Sequence, residues 1–248
     1  MPHSLPAPEP APVPGAPGCA FFDVDETLII GKSMTGFLGF HLARLPRAQA
    51  QPLRAQAQDL VRAAALGPAG PPRAELNRAY YRLFRGCGHE ELERTGRAWF
   101  HARLAGGDLF HPAVARALDG HRARGRTIVL VSGSFAPCLD PIARHVGADL
   151  VICTRPHRLD GVLTGEVDAP MIGRRKALAA RSTLTRLGAS RSESYAYGDD
   201  ASDLPLLRTV GHPVVVGEDR LLRGWAEARG WARLPGARRG AARPPIRR

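Results

Sequence analysis

The chain has 248 residues, of which 44% are hydrophobic, and its formal net charge at pH 7 is +12. This apolar content is enough for the core of one domain with an insertion. Arginine makes up 33 of the 35 basic residues, a bias that is typical of a GC-rich genome. No aromatic residues alternate with the arginines and no nucleic-acid-binding motif is present, so the charge alone does not indicate nucleic-acid binding.

Cysteines, apolar stretches and termini exclude further classes of protein. The four cysteines are far apart without a CxxC pair, which predicts unpaired, buried side chains rather than disulfides or a zinc site. No apolar stretch approaches the ~18 residues that span a bilayer, and residues 1–18 lack the regions of a secretion signal. We expect a cytoplasmic protein in which the Pro- and Ala-rich residues 1–18 and the basic residues 235–248 are disordered.

The first predicted element, at residues 19–22, is an apolar strand that is followed by Asp23 and Asp25. In an extended segment, residues two apart face the same side, so both carboxylates would enter one space and repel each other without a cation or proton between them. Taken alone, the pair also fits a solvated Asp23 followed by a helix cap at Asp25 or Thr27.

Residues 33–109 are predicted to form an α-helical cap domain inserted after this strand. Apolar residues recur at helical spacing in two segments, and Pro- and Gly-containing loops at residues 66–72 and 86–89 separate helices. The two apolar faces consist of Leu53, Ala57, Leu60, Val61 and Ala64, and of Leu76, Tyr80, Leu83 and Phe84.

From residue 110 onward, helices alternate with short apolar strands. Strands are predicted at residues 127–132, 148–154, 194–199 and 212–217, helices at 112–124 and 172–187, and a hairpin at 158–167 that turns at Asp160 and Gly161. This alternation predicts the α/β class, with a Rossmann-like parallel sheet flanked by helices and formed by residues 19–32 and 110–234.

Reactive residues follow three of the strands and open one helix. Ligands bind at the carboxyl ends of strands in parallel α/β sheets, so residues at these positions are expected to share one site. The set comprises Asp23, Asp25, Thr27, Ser132, Gly133, Lys176, Asp199 and Asp203. Each has a simpler explanation as a helix cap or a surface charge, but their order and placement fit a single site better.

In this order the residues form DxDxT, a strand ending in Ser-Gly, a lysine and GDxxxD, a pattern that resembles the haloacid dehalogenase (HAD) superfamily. The helical block directly after DxDxT is similar to the cap of its phosphoserine-phosphatase-like branch, subfamily IB. The resemblance covers roughly residues 19–234. It implies an HAD-like core with a helical cap and the activity of a Mg²⁺-dependent phosphatase.

The resemblance also implies a role for each motif residue. Asp23 would be the nucleophile that forms an aspartyl-phosphate, and Asp25 would be the general acid and base. The Mg²⁺ ligands would be Asp23, the backbone carbonyl of Asp25, Asp199 and, directly or through water, Asp203. The phosphate-binding residues would be Thr27, Ser132, Gly133 and Lys176.

Two positions depart from the family pattern. Lys32 lies nine residues after Asp23, where phosphoserine phosphatases typically have a glutamate that pairs with the ammonium group of the substrate. A lysine would instead attract a carboxylate or a second phosphate, which predicts selection of an anionic substrate. Solvation of Lys32 at the hinge into the cap is an equally good explanation. Asp200 stands where a small residue is common, and it could tighten metal binding or face solvent.

These features predict a Mg²⁺-dependent phosphatase that hydrolyses a small, anionic phosphomonoester metabolite through an aspartyl-phosphate. One alternative is a phosphatase for phosphoserine or another aminoalkyl phosphate, and another is a phosphotransferase. A nucleic-acid or anionic-membrane binding protein with a vestigial site is a third, against which the intact motifs argue. We expect no specific nucleic-acid partner, and the sequence leaves substrate identity and oligomeric state open.

Overall fold

The computed structural model describes residues 18–236, so the predictions for most of the two terminal segments concern residues outside this range. Six parallel strands form one sheet in the order β3-β2-β1-β6-β7-β8, and β4 and β5 form a separate hairpin. The strands are β1 (Cys19–Phe22), β2 (Thr127–Ser132), β3 (Leu150–Cys153), β4 (Arg158–Leu159), β5 (Val162–Leu163), β6 (Tyr195–Gly198), β7 (His212–Val216) and β8 (Ala232–Leu234).

Helices cover this sheet and form the connection between β1 and β2. They are α1 (Ser33–Leu42), α2 (Arg47–Ala65), α3 (Arg73–Arg82), α4 (His89–Ala105), α5 (Pro112–Ala123), α6 (Ala136–Val146), α7 (Arg174–Leu187), α8 (Leu204–Leu207) and α9 (Arg220–Arg229). The four residues of β1 are fully buried, as expected for a strand covered on both faces. The predicted α/β class with a parallel sheet is confirmed.

Helices α1 to α4 constitute a helical insertion at residues 33–109. Its two ends lie side by side, because Ile30 N–H donates to Leu109 O at 2.7 Å and His111 N–H donates to Leu28 O at 2.9 Å. Its separate status as a cap domain stays a prediction.

The helical insertion packs closely on α6 of the sheet domain. The Phe37 and Phe135 ring centroids are 5.4 Å apart, and those of Phe84 and Phe135 are 5.6 Å apart. Gly96 of α4 lies against the backbone of Pro137, where a Cβ atom would overlap the carbonyl oxygen. A continuous apolar core therefore joins the insertion to the sheet domain.

Several local predictions differ from the structure. Strand β8 and helix α9 were not predicted. Strand β8 is a three-residue edge strand with an arginine at its centre, so it offers no apolar run. Val61, assigned to an apolar face of α2, is 58% exposed. Residues 53, 57 and 60 form the stripe that packs, and position 61 is about 100° away from position 60 on the helix. The hairpin turn at Asp160 and Gly161 is confirmed by positive φ at both residues.

Two predicted absences concern the described residues alone. Between residues 18 and 236, no helix is both long and apolar enough to cross a bilayer. All four cysteines are free, two of them buried and two half-buried.

Candidate active site

The order of the strands brings the predicted site residues together. Strand β1 lies between β2 and β6, so Asp23, Ser132 and Asp199 emerge at the carboxyl ends of three neighbouring strands. Asp23 N–H still donates to Tyr197 O at 3.0 Å, which fixes Asp23 beside the end of β6. The sheet thus positions these residues at one edge, as the sequence predicts.

Three carboxylates and one ammonium group form the centre of the site. Ligand oxygens of Asp23, Asp199 and Asp203 lie within 4.8 Å of one another. Lys176, from the first turn of α7, is 4% exposed and donates to Asp23 Oδ1 at 2.6 Å and to Asp203 Oδ1 at 2.7 Å. Thr27 Oγ1 donates to Asp199 Oδ1 at 2.7 Å and lies 3.5 Å from Asp23 Oδ2.

The electrostatics of this cluster indicate an excess of negative charge. Burial, with added repulsion from Asp23 and Asp203, raises the pKa of Asp199 to about 9. Burial also raises the pKa of Asp203 to about 6, although Lys176 opposes the shift. One lysine therefore compensates three carboxylates only in part. The raised pKa values show that the three carboxylates can be fully ionised together only with a further cation, and hard oxygen ligands of this kind fit a divalent ion such as Mg²⁺.

Asp25 is separated from this cluster by a turn. Strand β1 ends at Phe22, and Leu28 and Ile29 both donate backbone N–H groups to Val24 O. The strand therefore ends before Asp23, and an extended strand is not what orients the two side chains. The Asp25 carboxyl lies outside the cluster of Asp23, Asp199 and Asp203 but near enough to Lys176 for that charge to favour its ionised form. That Asp23 and Asp25 face one space stays a prediction.

The carboxyl group of Asp25 is held at the start of the helical insertion. Asp25 Oδ1 accepts the backbone N–H of Ser33, the first residue of α1, at 2.8 Å. Burial raises the pKa of Asp25, and the hydrogen bonds from Ser33 oppose this shift. A carboxyl group in such a setting suits proton donation and acceptance.

The loop after β2 is fixed by contacts from two sides. Ser132 Oγ accepts the backbone N–H of Ser134 at 3.0 Å. The carbonyl oxygen of Gly133 accepts hydrogen bonds from Thr154 Oγ1 at 2.8 Å, Asn77 Nδ2 at 2.9 Å and the Tyr81 hydroxyl at 3.0 Å. Two of these donors belong to α3, so the helical insertion helps to orient the predicted phosphate-binding loop.

Sequence reasoning did not identify Asn77 and Tyr81 of α3, and it could not single out Arg73 among the arginines of the predicted cap. Asn77 and Tyr81 are four residues apart and share one helix face, a spacing that could have indicated a polar contact. Asn77 is 6% exposed and its Oδ1 has no hydrogen-bond partner. Arg73 Nη1 pairs with Asp200 Oδ2 at 2.5 Å, but one arginine among 33 gives no signal in the sequence.

Lys32 is placed beside the site but on its exposed side. Its Nζ lies 3.6 Å from Glu26 Oε2, and its side chain is 54% exposed. Asp200 does not simply face solvent, because it forms an ion pair with Arg73. This ion pair lowers the pKa of Asp200, although burial opposes the shift. The selectivity role of Lys32 stays a prediction.

Comparisons with known proteins agree with this geometry. The family model of haloacid dehalogenase-like hydrolases matches residues 20–208. The chain is 36% identical over 219 residues to an inhibition of morphological differentiation protein of Streptomyces azureus, a match covering 86% of this chain and 76% of that protein. It is 34% identical over 238 residues to a probable phosphatase of Mycobacterium tuberculosis, covering 88% of this chain and 75% of that protein.

More distant matches extend the likeness. A phosphoserine phosphatase of Mycobacterium tuberculosis is 28% identical over 228 residues, covering 86% of this chain and 68% of that protein. Among solved structures, a Bordetella pertussis protein of unknown function has a TM-score of 0.75 at 26% identity, covering 88% of this chain and 98% of that one.

Proposed function

This chain belongs to the haloacid dehalogenase-like hydrolase family, and we propose that it is a phosphatase that hydrolyses a small phosphomonoester through an aspartyl-phosphate on Asp23. The observation that carries this proposal is the buried contact of Asp23 with Lys176 beside Asp199 and Asp203. A carboxylate so placed can attack phosphorus while a fixed positive charge stabilises the transferring group. The names of the relatives support the same reaction class.

The proposed reaction has two steps, which use Asp23 and Asp25 in turn. A carboxylate oxygen of Asp23 attacks the phosphorus atom, and the bond to the ester oxygen breaks. Asp25 donates its proton to the departing alkoxide, then accepts a proton from the water that hydrolyses the aspartyl-phosphate. The anchorage of Asp25 at the N-terminus of α1 supports this role, since it holds the carboxyl group in one position.

Binding of the phosphoryl group would use residues from three elements. Lys176 supplies a buried ammonium group whose pKa is raised by Asp203 and Asp23, although burial alone would lower it. Ser132 and the backbone N–H of Gly133, at the end of β2, would donate to phosphoryl oxygens. Thr27, whose hydroxyl lies between Asp199 and Asp23, would complete the set.

The acidic cluster would hold a Mg²⁺ ion through Asp23, Asp199 and the backbone carbonyl of Asp25, with Asp203 nearby. When bound, this ion supplies Lewis-acid stabilisation of the negative charge on the phosphoryl group. Lys176 already fixes one oxygen of Asp23 and one of Asp203, which leaves their other oxygens for such a ligand.

The helical insertion would act as a cap that excludes water and selects the substrate. Support comes from α3, because Asn77 and Tyr81 contact Gly133 and Arg73 pairs with Asp200. Lys32, at the start of the same insertion, favours an anionic substrate in this proposal. The second candidate, a phosphatase for phosphoserine, is favoured by the relative of that name.

The test is phosphate release from a panel of phosphomonoesters, in Mg²⁺ and in EDTA. The panel contains phosphoserine, sugar phosphates and substrates with two anionic groups. We expect Mg²⁺-dependent release that favours the dianionic substrates, and loss of all release in Asp23→Asn. Asp119→Asn, at an exposed position of α5, is the matched control and should retain activity. Release by Asp23→Asn would contradict the assigned nucleophile, and a preference for phosphoserine would discard Lys32 as the selector.

A further inference from the structure

Two buried serines connect the proposed general acid to the predicted phosphate-binding loop. Ser33 is the first residue of α1, and Ser134 lies in the loop after β2, 101 positions later in the chain. The Ser33 hydroxyl donates to Ser134 Oγ at 3.0 Å, and both side chains are fully buried. This hydrogen bond therefore joins the start of the helical insertion to the sheet domain.

The backbone of Ser33 also holds the carboxyl group of Asp25. The N–H groups in the first turn of a helix have no acceptor within the helix. Lys32, the residue before α1, has a side chain that cannot accept a hydrogen bond, and Asp25 Oδ1 accepts the Ser33 N–H at 2.8 Å instead. Because Oδ1 is occupied as an acceptor, Oδ2 is the atom that carries the proton Asp25 donates under the proposed function. The direction of this proton thus depends on the position of Ser33.

Ser134 is fixed in its loop by two backbone hydrogen bonds. Its N–H donates to Ser132 Oγ at 3.0 Å, and its carbonyl oxygen accepts the N–H of Thr154 at 2.9 Å. Since Ser132 Oγ is an acceptor in this contact, its own O–H is available to donate to a phosphoryl oxygen. One chain of three hydrogen bonds thus connects Asp25 to Ser132 through the two buried serines.

The bond between the two hydroxyls determines position more than it stabilises the fold. A hydrogen bond between buried neutral groups adds little net free energy, because both groups give up hydrogen bonds to water on folding. The start of α1 is also fixed within the insertion, where the Tyr80 hydroxyl donates to Met34 O at 2.9 Å. The serine pair supplies a different restraint, since it sets the start of α1 relative to the loop after β2.

We propose that Ser33 and Ser134 are positioning residues that align the Asp25 carboxyl group with the phosphate-binding loop for proton transfer to the leaving group. In this role they act through Asp25 and Ser132 rather than on the substrate itself, and the inference rests on the proposed function. A leaving group that must be protonated depends on this alignment. A leaving group that is stable as an anion depends on it far less.

The test compares kcat/KM for two substrates in Mg²⁺. One is the alkyl phosphomonoester of the panel above that the unaltered protein hydrolyses fastest, and the other is p-nitrophenyl phosphate, which releases a stabilised phenolate. We expect Ser33→Ala to lower kcat/KM about tenfold for the alkyl ester and no more than about twofold for p-nitrophenyl phosphate. A merely structural role would lower both values equally, so an equal loss, or no loss, would overturn the proposal.

The matched control is Ser190→Ala, because Ser190 and Ser192 form another serine pair, with Oγ atoms 2.9 Å apart, between α7 and β6. It should leave the ratio of the two kcat/KM values unchanged. If Ser33→Ala unfolds, Ser33→Ala with Ser134→Ala leaves neither hydroxyl without its partner and should show the same selective loss.

Failure of the proposed function gives a different result. An unaltered protein that releases phosphate from neither substrate would reject the proposed function and this role with it. An active protein in which the folded serine variants lose both activities equally would reject the positioning role alone.

Discussion

At the scale of single residues, His121 is a buried base in the core of the sheet domain. It is 7% exposed, and its Nε2 lies 2.8 Å from the Tyr197 hydroxyl. Its other ring nitrogen, Nδ1, has no hydrogen-bond partner. Burial, with the nearby charges of Arg126 and Arg124, lowers the pKa of His121 to about 4. The folded protein therefore holds this ring neutral at pH values where the unfolded chain protonates it.

We predict that His121 makes the stability of the fold depend on pH between about 6.5 and 4. The unfolded state binds more protons in this window, so the free energy of unfolding is highest above it and decreases as the pH falls through it. The loss is up to about 3 kcal/mol, because one pKa unit corresponds to about 1.4 kcal/mol. Urea unfolding at several pH values measures this loss.

The variant His121→Gln should show a flatter pH dependence of stability in the same window. His101→Gln, which removes an exposed histidine at the end of α4, is the matched control and should keep the slope of the unaltered protein. Identical slopes for the His121 and His101 variants would show that other groups cause the acid sensitivity.

The sequence correctly predicted that the acidic motif residues and the lysine lie together. Asp23, Lys176, Asp199 and Asp203 were expected to meet because each follows a strand or opens a helix, and they do meet. The two-residue period does not explain the orientation of Asp25, since it applies only while the strand continues and β1 ends at Phe22. Asn77 and Arg73 could not be assigned, because their contacts depend on how α3 lies against the sheet domain.

At the scale of elements, α3 connects the helical insertion to the loops of the site. Its first residue, Arg73, pairs with Asp200, which directly follows Asp199 and caps the short turn that carries Asp203. Both side chains are partly exposed, so the pair contributes no more than about 1 kcal/mol to stability. We therefore expect the ion pair between Arg73 and Asp200 to position the insertion over the site rather than to stabilise the fold.

We predict that Arg73 and Asp200 act as a unit. Arg73→Gln and Asp200→Asn should each raise KM about fivefold, the factor that about 1 kcal/mol represents, with little change in the unfolding temperature. The double variant should be no worse than either single variant, because the interaction can be lost only once. Arg78 lies on the same helix as Arg73 and donates to the backbone carbonyl of Asp168, so Arg78→Gln is the control. Additive effects in the double variant would show that the two residues act independently.

A second prediction at this scale concerns the contact of α4 with α6. Gly96→Ala would force the new methyl group against the Pro137 carbonyl, so α4 must shift, and a loss of about 1–3 kcal/mol is expected. Gly39→Ala in α1 is the matched control, since nothing lies within 4 Å of its added Cβ. It should stabilise the chain slightly through helix propensity. Thermal unfolding measures both, and equal midpoints would show that the contact at Gly96 is not tight.

Elements were predictable where the apolar pattern alone determines them. Strands β2, β6 and β7 are short apolar runs buried in the sheet, and their predicted ranges agree with the structure within two residues. Strand β8 is an edge strand whose pairing with β7 depends on tertiary position, and α2 is so exposed that its apolar face is narrower than the sequence suggests.

At the scale of the whole molecule, one dense run of positive charge lies apart from the residues of the candidate site. Five arginines fall within residues 237–248, outside the described range, and the site residues lie between positions 23 and 203. General binding of anions would depend on these five arginines, whereas the proposed phosphatase activity would depend on the site residues. The alternation of helices and strands predicts that the strands are parallel, but it does not predict which strands are neighbours in the sheet.

We predict that deletion of residues 237–248 leaves phosphatase turnover unchanged and weakens retention on an anionic matrix such as heparin. The deletion removes five positive charges from a formal net charge of +12. Turnover and the salt concentration of elution measure the two effects. The second variant replaces the five arginines by glutamine, which removes the charge and keeps the length of the segment. A loss of turnover in both variants would assign the segment a role in the reaction.

The adjacent ends of the helical insertion have a consequence for the history of such proteins. Ile29 and Phe110 pair as neighbours across the junction, so residues between them enter and leave at almost one point. A segment joined in this way can be exchanged for another of different length without disturbing the strands on either side. Under the proposed function, substrate range could therefore diverge by replacement of one continuous segment, provided that the new segment keeps the contacts with α6 and Gly133.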